Sequence, residues 1–209
     1  MAPVSDEGPA SIRSLKALRG AEEGCTRCPL FRNATQAVPG TGAARAAIML
    51  VGEQPGDQED RQGKPFVGPA GRVLDEALDA AGIARRDCFV TNAVKHFKFE
   101  PRGKRRLHKR PGAYEVDRCH LWLETEIRLV KPRLIVALGA TAVRGLCGKP
   151  LAIGKIRGHV IALPDQHRML ATVHPSYILR IRDDGDRHAQ FQAFVGDLKV
   201  GVRSLNRTA

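Results

Sequence analysis

Glu53, Asn92 and His174 stand in three short polar clusters, each placed directly after an apolar run: Gly52-Glu53-Gln54-Pro55-Gly56, Thr91-Asn92, and His174-Pro175-Ser176. They offer a carboxylate, an amide that donates and accepts at once, and an imidazole that titrates near neutral pH. Each cluster also has a plain structural account. The pentapeptide reads as a turn rich in breakers, Asn92 can bond a nearby backbone group, and His174-Pro175-Ser176 can cap and open a helix. What favours chemistry is that all three fall at strand ends. Cys25-Thr26-Arg27-Cys28-Pro29 adds a ligand pair of common spacing. Five cysteines (Cys25, Cys28, Cys88, Cys119, Cys147) are an odd number, which speaks for metal ligation over a disulfide framework. Cys88 and Cys147 sit in apolar patterns and read as small buried hydrophobes. Between Lys95 and Arg110 lie eight cations (Lys95, Lys98, Arg102, Lys104, Arg105, Arg106, Lys109 and Arg110), interrupted by Phe97, Phe99 and His108. The plain account of this run is a phosphate-binding or solvated loop.

The elements that must position these groups are legible from periodicity. Ser11 to Glu23 has helical spacing (Ile12, Leu15, Leu18) and stops at Gly24; Pro29 to Ala44 reads as a Pro/Gly-punctuated loop. Buried-strand runs follow at Ala47–Val51, Cys88–Val90, Leu134–Leu138, Val160–Leu163 and Met169–Val173. Helical patterns lie between and after them, at Gly71–Ala81, Tyr114–Val130, Thr141–Cys147, Ser176–Ile181 and His188–Leu205. Strands alternating with helices predict an α/β fold: a single domain over residues 11–209, with a central, mostly parallel sheet covered by helices on both faces. Residues 1–10 read as a flexible tail. In such sheets ligands bind beyond the carboxyl ends of the strands, where the three polar clusters fall.

The chain has 209 residues and a formal charge of +12, with a pI near 10.0. A surplus of that size points to a polyanionic partner, nucleic acid first, with a solvated basic surface as the bland alternative. No apolar run is long enough to span a bilayer, no basic amphipathic helix with aromatic anchors stands out, and the N-terminus lacks the features of a signal peptide. A cytoplasmic protein that binds no membrane is expected.

The clusters, read together, carry a resemblance. Gly52-Glu53-Gln54-Pro55-Gly56, then Asp60-Arg61-Gln62-Gly63-Lys64-Pro65-Phe66-Val67-Gly68, then Thr91-Asn92-Ala93-Val94-Lys95, then His174-Pro175-Ser176-Tyr177 resemble the successive motifs of the iron–sulfur (family 4) uracil-DNA glycosylases. The likeness runs from about Cys25 to Leu198. Gln54 and Lys104-Arg105-Arg106-Leu107-His108 resemble one branch in particular, UdgX, whose members bond covalently to uracil-containing DNA.

The resemblance implies roles that make physical sense. Phe66 stacks under the flipped base and recovers part of the lost stacking energy. Asn92 accepts from uracil N3–H and donates to O4, a pattern that cytosine reverses. His174 donates to O2 of the departing uracil anion. Glu53 stabilises the cationic sugar, at about 4 Å contributing on the order of 4 kcal/mol at an effective dielectric near 20. Gln54 joins the catalytic group, and His108 attacks C1′ of the sugar after uracil leaves. Lys104, Arg105, Arg106 and Ser176 face DNA phosphates. The family's four cluster cysteines map onto Cys25, Cys28, His96 and Cys119, with histidine replacing cysteine at the third place. That set implies a 4Fe–4S cluster, although spacing alone suits zinc as well. A monomer acting on uracil-containing, single-stranded DNA is expected. Two alternatives stay open at this point: a glycosylase that turns over without capture, and a metal-stabilised DNA-binding module without chemistry.

Overall fold

A computed structural model of the protein describes residues 11–163 and 167–206. The expected tail, residues 1–10, lies outside the described residues. Six strands form one sheet: β1 (Thr41–Gly42), β2 (Ile48–Gly52), β3 (Cys88–Asn92), β6 (Leu134–Leu138), β7 (Val160–Ala162) and β8 (Arg168–Thr172). Their order is β1-β3-β2-β6-β8-β7. The central four, β3-β2-β6-β8, are parallel, and the short edges β1 and β7 pair antiparallel. The expected mostly parallel sheet is therefore present.

Both faces are covered, because alternate strand residues point to opposite sides. Leu50, Val90, Val136 and Leu170 pack on one side against α3 (Pro69–Ala80) and α8 (Asp184–Asn206). Met49, Phe89, Ile135 and Met169 pack on the other against α4 (Ala113–Val130) and α5 (Ala140–Cys147). A third cluster lies beyond the sheet. There α1 (Leu15–Glu23) puts Leu18 against Val116 and Trp122 of α4, with Cys25, Cys28 and Cys119 buried between them. α1 begins one turn later than expected, because the Ser14 side chain accepts from Ala17 N–H and caps it there.

Two elements differ from expectation. Asp57–Gln62 forms a helix, α2, in a stretch with no apolar period. Glu59 holds it by taking the N–H of Gly56 on one carboxylate oxygen and that of Gly68 on the other. The basic run is no loop: β4 (Phe99–Arg102) and β5 (Arg105–His108) pair as an antiparallel hairpin, turned at Gly103 with φ 57°. The short α6 (Ile153–Ile156) and α7 (Pro175–Leu179) complete the order. Chain order along the sheet reverses between β2 and β6, and the crevice at that switch point lies beyond the strands' carboxyl ends.

Candidate active site

The tips of β2, β3, β6 and β8 open into one cleft of about 900 Å³, lined among others by Glu53, Phe66, Asn92, His108, His174 and Arg110. The floor is set by close backbone approach. A Cβ on Gly52 would collide with Asn92 Oδ1 and come within 2.6 Å of the Phe66 ring, so only glycine fits there. Phe66 is buried and held at φ 54°, a left-handed conformation uncommon for an aromatic residue. A side chain on Gly71 would strike the Phe66 carbonyl, so the tight turn into α3 keeps the ring where it is.

Asn92 is 1% exposed, yet its Oδ1 has no hydrogen-bond partner. A buried acceptor left unpaired costs roughly 1–3 kcal/mol, and a ligand donor would relieve that cost. Its main chain is pinned on all sides. Ala93 N–H donates to Gly52 O and Val94 N–H to Glu53 O, while the ammonium of fully buried Lys95 donates to Asn92 O at 3.0 Å. Lys95 also donates to Thr91 Oγ1 and Glu126 Oε2 and lies 3.8 Å from Glu22. Burial, and then Glu126, push the Glu22 carboxyl up to about 9, with the Lys95 ammonium opposing that rise. The sequence reading placed Lys95 in a solvated basic run; it is instead a core residue behind the pocket.

His174 caps α7, its Nδ1 accepting the backbone N–H of Ser176 at 3.2 Å. A backbone N–H can only donate, so neutral His174 carries its proton on Nε2. The ring stacks on Phe66, centroids 5.8 Å apart. Burial first, then His108 and Arg180, lower its pKa from 6.5 to about 4. The unfolded chain therefore binds a proton that the folded chain refuses between those values, and stability from this group is lost as pH falls from about 6.5 towards 4. The loss should reach on the order of 3 kcal/mol. Urea denaturation of the wild type and of His174→Gln near pH 7 and near pH 4.5 should show the wild type losing more; equal losses would reject the assignment.

The hairpin carries His108 to the cleft, its Nε2 3.3 Å from Glu53 Oε1. Gln54, expected in the catalytic group, and Arg106, expected on a DNA phosphate, both hold the hairpin. The Gln54 amide donates to Lys98 O and Lys109 O and accepts from Lys98 N–H, closing the base of the hairpin. Arg106 turns inward. Its guanidinium bonds Asp57 and Asp60 at 2.5 and 2.6 Å and lies over the Phe97 and Phe99 rings, leaving the side chain 16% exposed. This departs from the expected phosphate contact: two carboxylates from α2 satisfy the charge within the protein. Lys104 and Arg105 are exposed on the hairpin, as a phosphate contact requires. The hydroxyl of Ser176 is taken up by His174 Nδ1 at 2.8 Å.

Cys25, Cys28, His96 and Cys119 are all buried, and the three thiols share one cluster. Trp122 Nε1–H donates to Cys25 Sγ at 3.1 Å and Lys95 N–H to Cys119 Sγ at 3.5 Å, while His96 Nδ1 is buried without a partner. The Cys28 thiol is pushed down to about 5, chiefly by its hydrogen bond with Cys119, and Cys119 is pushed up. Free thiols, N–H groups aimed at sulfur and an orphaned ring nitrogen suit a group bound through thiolates and imidazole. Among the described residues no three of these side chains are spaced to hold a single metal ion.

Sequence reasoning missed Thr141, Arg110, Asp57 and Asp60. Thr141 lies just past the tip of β6, where the rule that selected Glu53, Asn92 and His174 applies equally; Asp60 stood at the head of the second motif without a role, and nothing in the sequence marked Asp57.

Comparison with known proteins gives a consistent result. Residues 39–199 match the family model described as the uracil DNA glycosylase superfamily. A type-4 uracil-DNA glycosylase of Thermotoga maritima is 41% identical over 161 residues, covering 77% of this chain and 80% of the relative. Those of Pyrobaculum aerophilum (38%; 79% and 85% covered) and Sulfurisphaera tokodaii (32%; 82% and 81% covered) are also similar.

Proposed function

The chain belongs to the uracil-DNA glycosylase superfamily and its type-4 family, and from that premise we propose that it excises uracil from DNA and then bonds to the abasic sugar through His108. The observation that carries this reading is the His108 imidazole 3.3 Å from Glu53, in the same cleft as Phe66, Asn92 and His174.

In this mechanism the extruded uracil lies on Phe66, and Asn92 pairs with N3–H and O4. The C1′–N1 bond breaks and its electron pair leaves with uracil. His174 Nε2–H donates to O2, where the negative charge collects. Glu53 faces the cationic sugar. Glu53 Oε1 then takes the proton from His108 Nε2, and the electron pair of that N–H bond forms the new bond to C1′. The N-glycosidic product has a poor leaving group, so water releases it slowly. Lys104 and Arg105 hold phosphates of single-stranded DNA, on which one protein molecule acts alone.

Cys25, Cys28, His96 and Cys119 hold a 4Fe–4S cluster in this reading. Bound through these residues, such a group would tie the segment after α1, the segment after β3 and α4 together. The preference for a cluster over zinc rests on the family to which the chain belongs.

The test is denaturing electrophoresis after incubation with a uracil-containing single strand, beside the same strand with thymine. A heat- and detergent-resistant adduct with the uracil strand alone is expected. Repeated uracil release without adduct would remove capture and leave the glycosylase; neither product would remove both.

A further inference from the structure

Glu53 has two oxygens in different surroundings. Oε1 faces His108 at 3.3 Å, while Oε2 accepts the Thr141 hydroxyl at 2.5 Å and lies 3.8 Å from Arg110 Nε. Thr141 is 3% exposed and stands in the first turn of α5, after Gly139 at φ 93°. That turn is fixed on both sides: Gly139 N–H donates to Thr172 O, and a Cβ on Gly139 would press against His174 Cβ at 3.1 Å. The direction of the hydroxyl proton follows from Arg110. Its Nε–H donates to Thr141 Oγ1 at 3.3 Å and can do nothing else, so the threonine's single proton is directed at Glu53.

We infer that Thr141 is a positioning residue for Glu53: it fixes the carboxylate rotamer through Oε2 and so reserves Oε1 for the sugar cation and for the proton of His108. This inference rests on the glycosylase reading above. Without the hydroxyl, Oε2 has no neutral donor at hydrogen-bond distance, and the carboxylate is free to rotate towards the exposed Arg110 guanidinium. Both excision and capture then slow, because both draw on the same oxygen.

The experiment compares Thr141→Val, Thr141→Ala and Thr141→Ser with wild type, under single turnover on a uracil-containing single strand. Uracil release and adduct are followed together. Loss of one hydrogen bond to a charged group predicts rates lower by roughly tenfold to a hundredfold in the valine and alanine variants, with serine close to wild type. Affinity for the thymine-containing strand and the melting temperature of the valine variant should stay at wild-type values. If valine folds poorly, alanine and serine carry the comparison, since they differ by the hydroxyl alone. Valine or alanine at the wild-type rate, or serine as slow as alanine, would overturn the inference. Wild type that releases no uracil would instead overturn the reading beneath it.

Discussion

Replacing His108 with alanine should abolish the covalent adduct while uracil is still released. The imidazole contributes little to the fold: it is half exposed, its polar contact is Glu53, and its ring lies 6.1 Å from Phe97. The substitution should therefore change stability by no more than about 0.5 kcal/mol. Asn92 at the end of β3, Phe66 in the turn before α3 and His174 just after β8 keep their backbone anchors, so base removal should stay within about tenfold of wild type. Adduct should fall on the order of a thousandfold or more, because the variant lacks the imidazole that stands 3.3 Å from Glu53. Gel shift under denaturing conditions and free-uracil measurement on one sample read both quantities. An undiminished adduct from this variant would assign capture to another residue.

Asn92→Ala should have the second large effect, in the opposite half of the reaction. Among the described residues, the asparagine supplies the one buried side-chain acceptor without a partner in the cleft, and the backbone on either side of it is fixed by Gly52, Glu53 and Lys95. Removing a matched donor–acceptor pair from a dry pocket should lower the single-turnover rate by roughly a hundredfold to a thousandfold. The free protein should not lose stability in proportion, because the substitution also deletes an unsatisfied buried oxygen. Its unfolding free energy should stay within about 1 kcal/mol of wild type. A loss of several kcal/mol would make Asn92 a structural residue, and an unchanged rate would remove it from base recognition.

The sequence made the sheet legible because five apolar runs have strand length, and three of them end in polar clusters; β2, β3 and β8 lead directly to Glu53, Asn92 and His174. The hairpin and α2 were hidden for a common reason. Asp57–Gln62 has no apolar face, and its stability comes from Glu59 bonding two glycine N–H groups and from Arg106 reaching Asp57 and Asp60 across 46 to 49 residues. No local pattern encodes such contacts. The same long-range bonding explains why Gln54 read as a catalytic group and Arg106 as a phosphate contact: a cation or an amide in a polar stretch looks available to a ligand until its partner is known. Lys95 shows the limit most clearly. It belongs by sequence to a run of cations, and only α1 and α4 arriving with Glu22 and Glu126 make it a core residue.

The inward-facing Arg106 carries a consequence for the chemistry as a whole. A reactive arm held by Asp57, Asp60 and Gln54 has already given up its freedom when the chain folds, so meeting DNA demands no further ordering of that arm. Under the capture proposed for His108, the damaged nucleotide enters a standing arrangement, and the first productive encounter is the last for that molecule. On that proposal the number of protein copies, rather than the speed of any one of them, sets how many lesions are sealed.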